Sequence, residues 1–263
     1  MNGDTVAVDW SGAKTGAASR LWLAHVRDGR LVALRNGRSR VHVVHDLVAL
    51  RREGPGGLVV GLDFAFSFPA WFLRQRGYRG VGELWEAAGV EGEQWLAECE
   101  PPFWGRPGRR RPPLEEHYRR CEKTATVGAI RAKSVFQIGG AGAVGTGSVR
   151  GMPFLTLLRD AGFSIWPFDP VSPWVVLEIY PRLLTGPVNK SDPAERARYM
   201  HGSPLEVEPE FEPSIIGSED AFDAAISALV LHRQTAALTE LSPSTDPLTR
   251  LEGAIWPPPN IRT

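Results

Sequence analysis

Thr5-Val6-Ala7-Val8-Asp9-Trp10-Ser11-Gly12 decides how the rest of the chain is read. A short run of small and β-branched residues reads as a buried strand, and Ser11-Gly12 turns the chain directly after Asp9. A carboxylate is thereby set at a strand end, where α/β proteins hold charged groups against a cleft. Asp also caps turns in that position, so a functional reading of Asp9 needs partner carboxylates elsewhere in the chain.

Three further places supply them. Gly57-Leu58-Val59-Val60-Gly61-Leu62-Asp63 repeats the opening design, an apolar strand running into an aspartate. Trp174 to Tyr180 reads as a strand with Glu178 near its end, flanked by Val175-Val176-Leu177 and Ile179. An unpaired carboxylate in such apolar surroundings is costly. Ser218 is an N-cap for a helix expected over Glu219 to Thr239. Glu219 and Asp220 fall in its first turn, where the helix dipole favours acids. Asp223 lies deeper and shares a face with Asp220 at i, i+3.

Between the first two acids, Arg20 to Val26 and Arg30 to Leu34 read as strands joined through Asp28-Gly29, a hairpin signal. Val43 to Arg52 has helical apolar spacing and stops before Gly54-Pro55-Gly56-Gly57. The order is therefore strand, hairpin, helix, strand, which resembles the opening of the ribonuclease H-like fold. With Val8-Asp9-Trp10-Ser11-Gly12, Gly61-Leu62-Asp63-Phe64-Ala65-Phe66-Ser67-Phe68-Pro69, Leu177-Glu178-Ile179-Tyr180-Pro181 and Glu219-Asp220-Ala221-Phe222-Asp223-Ala224-Ala225, the chain is similar to the family called domain of unknown function 429, described as predicted nucleases. The resemblance implies an α/β fold: a mixed five-stranded sheet flanked by helices, with a large helical and loop insertion after the fourth strand. The chain then divides into a core of about 1–66 and 134–240, an insertion of about 67–133 and a C-terminal strap of 241–263.

The resemblance also implies a metal-dependent nuclease. Asp9 would be a bridging metal ligand, with Asp63 and Asp223 or Asp220 as further ligands. Glu178 would be a ligand or would orient water. Crowded carboxylates stay ionised together only when a cation neutralises them, and an all-oxygen set suits Mg²⁺ or Mn²⁺ rather than Zn²⁺. Two such ions can activate water and stabilise the leaving oxygen of a phosphodiester. Arg119 and Lys133 are candidate phosphate contacts. Two alternatives stand beside this reading. One is an ATP-binding phosphotransferase of the actin and sugar-kinase superfamily, although the glycine of Asp9-Trp10-Ser11-Gly12 falls one place later than that pattern wants. The other is a non-catalytic binding protein on the same scaffold.

Inside the insertion, Ser67 to Arg76 and Gly82 to Cys99 have helical spacing, whereas Pro101 to Pro113 is rich in Pro, Gly and Arg. From Arg106 to Lys123 the bases outnumber the acids by four, with Tyr118 interleaved and Phe103 and Trp104 just before. That loop could contact nucleic acid by clamping phosphates and stacking bases, and a solvated surface loop explains the same composition. Gly140, Gly142 and Gly145 satisfy G-x-G-x-x-G, but the helix is expected only from Pro153 to Ala161. The dinucleotide fingerprint needs it to begin inside the motif.

Lys plus Arg and Asp plus Glu balance at 30 each, so no global field points to a polyanion or a membrane surface. Cys99 and Cys121 form no metal or redox pair and suggest a reducing compartment. A strand begins where a leader peptide would have to lie. No apolar run is long enough to span a bilayer. A cytoplasmic protein without membrane contact is expected.

Overall fold

The structure is a computed structural model that describes residues 3–53, 56–114 and 116–258. The expected stop at Gly54-Pro55, Glu115 of the basic loop and the end of the strap lie outside the described residues.

The elements run β1 (Asp4–Asp9), α1 (Ala17–Arg20), β2 (Trp22–Arg27), β3 (Arg30–Arg35), α2 (Arg40–Glu53), β4 (Leu58–Leu62), α3 (Ala70–Gln75), α4 (Val81–Glu98), α5 (Arg120–Thr124), β5 (Thr126–Val127) and β6 (Ile130–Arg131). There follow α6 (Gly145–Asp160), β7 (Ser164–Ile165), β8 (Trp174–Glu178), α7 (Pro181–Thr185), α8 (Pro193–Gly202), α9 (Glu212–Gly217), α10 (Glu219–Arg233), α11 (Thr235–Thr239) and α12 (Thr249–Glu252).

The main sheet has six strands in the order β3-β2-β1-β4-β8-β7, one more than the five expected, because the short β7 adds an edge. β2 is antiparallel to β1 and to β3, and β1, β4, β8 and β7 are mutually parallel. At the β2–β3 turn Asp28 and Gly29 both take positive φ (50° and 80°), as the right-handed twist of a tight hairpin requires.

Period-two alternation divides the sheet into two cores. Val6, Val8, Val60, Leu62 and Val176 point to one side and join α2, α4 and α6. Ala7, Val59, Val175 and Leu177 point to the other and pack against Phe222, Ala225, Ile226 and Leu229 of α10. α4, from the insertion, shares the first core with the sheet and lies along α6.

The glycine segment departs from its expected form. Helix α6 starts at Gly145, eight residues before Pro153, and carries that proline inside it. Ser134 to Ile138, whose sequence reads as a strand or extended segment, is a turn with one bridge from Gln137 to Trp104. The glycines thus open a helix without a strand before them, which is not the dinucleotide-binding unit. Ser191 to Gly217, whose sequence reads as an outer loop or a helix-plus-loop excursion, contains α8 and α9.

Candidate active site

Parallel pairing of β1 with β4 sets Val8 opposite Leu62, and the Asp63 N–H continues the ladder to the Val8 carbonyl at 3.1 Å. Asp9 and Asp63 are therefore neighbours at two adjacent strand ends. Each lies two residues beyond a position on the α10 side of the sheet, Ala7 and Gly61, so alternation aims both carboxylates at that helix.

The end of α10 nearest them is its N-terminus. Ser218 caps it, its hydroxyl accepting from the Ala221 N–H at 3.2 Å. One turn in, Asp223 is 3% exposed. Its Oδ2 accepts from the Lys190 ammonium, and its Oδ1 is buried without a partner among the described residues. Lys190 reaches in from the loop between α7 and α8. The buried Arg196 donates both to the Lys190 carbonyl and to the Ile216 carbonyl just before α10. One guanidinium thus ties the lysine's backbone to the segment that feeds the helix carrying Asp223.

Electrostatics mark these groups as one cluster. Burial, reinforced by the charges of Asp63, Asp223 and Asp220, holds the Asp9 carboxyl well above the usual range. Burial and the Asp223 charge push Asp63 up to about 7. Asp223 and Asp220 are raised by burial, against the opposing pull of Lys190. Burial alone would lower Lys190, but Asp223, Asp63 and Asp9 outweigh it and its pKa is raised. Lys190 acts on all four acids, with Arg182 also lowering Asp223 and Arg20 lowering Asp220. Among the described residues no three His, Cys, Asp or Glu side chains converge closely enough to hold a metal ion as they stand.

Glu178 borders this cluster, since its charge also raises Asp63, but its carboxylate is engaged elsewhere. It pairs with Leu62, one residue before Asp63, and that single step turns it to the opposite face of the sheet. There it accepts from Arg119 Nη2 (2.5 Å) and Nη1 (2.8 Å) and from the Phe66 N–H (2.9 Å). Arg119 also donates to Glu122 at 2.9 Å and to the Glu252 carbonyl at 3.0 Å. Both side chains are almost wholly buried. The expected phosphate contact at Arg119 and the expected ligand at Glu178 are instead partners in an internal ion pair that fastens the insertion and the strap to β8.

A cleft of about 150 Å³ opens beside Asp63, between Trp10, Lys133, Gly147 and Tyr180, and the Arg119–Glu178 pair forms part of its wall. Lys133 is exposed at its rim. Tyr180, half-buried directly after β8, is raised by burial and stays protonated as a donor. Neither Lys190 nor Tyr180 is among the residues singled out from the sequence, although Tyr180 belongs to the quoted Ile179-Tyr180-Pro181.

The basic loop is largely neutralised. Arg109 pairs with Glu100, Arg120 with Asp246 and Lys123 with Glu116, while Arg111 covers the rings of Trp104 and Tyr118. No helix among the described residues is long and apolar enough to cross a membrane. Comparison with protein-family models, with curated proteins and with solved structures returned no match.

Proposed function

We propose that the chain is a divalent-metal-dependent nuclease that hydrolyses phosphodiester bonds at Asp9, Asp63 and Asp223, with Asp220 beside them. The observation that carries this reading is the convergence of Asp9 and Asp63, from adjacent parallel strands, on the N-terminal turns of α10, where Asp223 Oδ1 is buried with no partner among the described residues. A buried carboxylate oxygen without a donor costs about 1–3 kcal/mol or more, and a cation is the partner its chemistry suits. The strand order β3-β2-β1-β4-β8 supports a ribonuclease H-like sheet.

The donor set fits a hard cation, since all four groups offer carboxylate oxygen. Asp9, Asp63 and Asp223 would hold Mg²⁺ or Mn²⁺ once the Lys190 ammonium moves aside, and a long flexible side chain permits that. When bound, such an ion polarises the phosphoryl oxygen and lowers the pKa of its water. Without a cation, burial holds the carboxyls of Asp9 and Asp63 up, Asp63 to about 7, so ion binding is coupled to proton release. Lys133 at the cleft rim contacts the phosphate.

The test is cleavage of single-stranded, duplex, hybrid and branched nucleic acids with Mg²⁺ or Mn²⁺. Activity in the wild type that is lost in Asp9→Asn is the expected result. Cleavage that persists in Asp9→Asn, or in excess EDTA, refutes the assignment.

A further inference from the structure

A second cavity lies on the other side of Gly12 from the carboxylate cleft. Its volume is about 470 Å³, and Lys14, Arg20, Arg106 and Arg150 line it together with Thr146 and the turn Ser11-Gly12-Ala13. Gly12 borders both cavities, so the two adjoin at the turn that follows Asp9. Four cationic side chains and no acid face this groove.

The turn is held rigidly from behind. Arg40 donates to the Ser11 carbonyl at 3.0 and 2.7 Å and to the Ala13 carbonyl at 2.7 Å, and Arg150 donates to the Gly12 carbonyl. A Cβ on Gly12 would lie 2.4 Å from the Gly147 nitrogen, so the turn sits directly on the first turn of α6. Glu93 fixes the Arg150 guanidinium at 2.6 and 3.0 Å, leaving it two further N–H donors. Val144, the N-cap of α6, offers no side-chain cap. The wall of the groove is thus preorganised backbone and guanidinium.

The remaining cations are available. Lys14 is 79% exposed and held only by a long 4.0 Å pairing with Glu93, so it is free to turn to a ligand. Arg20 and Arg106 are exposed, and among the described residues neither has a carboxylate within ion-pair distance. Arg20 is also close enough to Asp220 for its charge to lower that carboxyl. The line of positive charge therefore runs up to the acid cluster. Arginine favours planar, bidentate oxyanion contacts, and a track of such contacts follows a sugar-phosphate backbone.

We propose that this groove binds the phosphodiester backbone of a nucleic-acid strand as it leads into the carboxylate site. The proposal rests on the nuclease reading and names where its substrate is gripped. The volume suits a nucleotide or two and not a duplex, being near the lower end of the roughly 300–1,000 Å³ range of small-ligand sites. Of the Arg106 to Lys123 loop, the groove uses Arg106 alone.

The test is fluorescence anisotropy of a labelled oligothymidylate of about a dozen nucleotides, a length within the site sizes of strand-binding proteins, in EDTA so that cleavage plays no part. Arg20→Gln/Arg106→Gln, two exposed changes, is expected to weaken binding at least tenfold. It should also lower the slope of log K against log salt by about 1.4, at ~0.7 for each phosphate no longer neutralised. Asp9→Asn should bind at least as tightly as wild type. The groove assignment is overturned if the double variant binds with unchanged affinity and slope, or if thymidine monophosphate binds as tightly as the oligomer. Failure of the nuclease reading shows separately, as absence of metal-dependent cleavage by wild type that still binds the oligomer.

Discussion

Lys190 donates to one oxygen of Asp223 while the other oxygen of that carboxylate is buried without a partner among the described residues. The lysine is a resident counter-charge, and it lowers the pKa of Asp9, Asp63, Asp220 and Asp223 alike. It balances one of the four acids. Burial and mutual repulsion hold these carboxyls up, and a bound ion would relieve both.

Removing that ammonium leaves the buried Asp223 without its counter-charge. Lys190→Met is expected to lose about 3–5 kcal/mol of stability in EDTA, the cost of breaking a buried pair from one side. Mn²⁺ should restore much of it, because a ligand that binds only the folded chain stabilises it by mass action. Urea midpoints with and without Mn²⁺ measure both effects. A variant as stable as wild type in EDTA would remove Lys190 from the counter-charge role.

The raised carboxyls set a pH dependence with a definite sign. Between ~4, the ordinary aspartate range, and about 7, folded Asp63 keeps a proton that the unfolded chain has released. Stability in metal-free buffer is expected to fall as pH rises through that window. Asp9, also raised by burial, acts in the same direction. Thermal melts across the window should show this slope, and Asp63→Asn should flatten it. A wild-type Tm that climbs from pH 5 to 7 in EDTA contradicts the burial of these carboxyls against one another.

Glu178 separates stability from metal binding. Its carboxylate holds Arg119 on the far side of the sheet, so Glu178→Gln is expected to cost about 3–5 kcal/mol in urea unfolding through the stranded guanidinium. Its Mn²⁺ affinity should match wild type. A tenfold loss of Mn²⁺ affinity with unchanged stability would return Glu178 to the ligand set.

Much of this arrangement is legible in the chain itself. Apolar strands running into Asp9 and Asp63, and a Ser218-capped helix with Asp220 and Asp223 in its opening turns, announce themselves through local pattern. Glu178 does not, because its face depends on the β4–β8 register, and a one-residue step reverses every side chain. Lys190 sits in an irregular loop with no periodicity, and its partner is 33 residues away. The start of α6 is hidden for another reason: Gly145, Gly147 and Gly151 are poor helix formers, and packing against α4 overrides that propensity. The cationic groove gathers Lys14, Arg20, Arg106 and Arg150 from four separate segments, none of which stands out alone.

The central claim is that the acids around α10 form a divalent-cation site. Mn²⁺ binding followed by electron paramagnetic resonance at pH 8, comparing wild type with Asp9→Asn and Asp223→Asn, tests it most directly. The account predicts saturable binding to the wild type, weakened at least tenfold in both variants. Wild-type protein that leaves Mn²⁺ free at millimolar concentration, or variants that bind it as tightly as wild type, would contradict it.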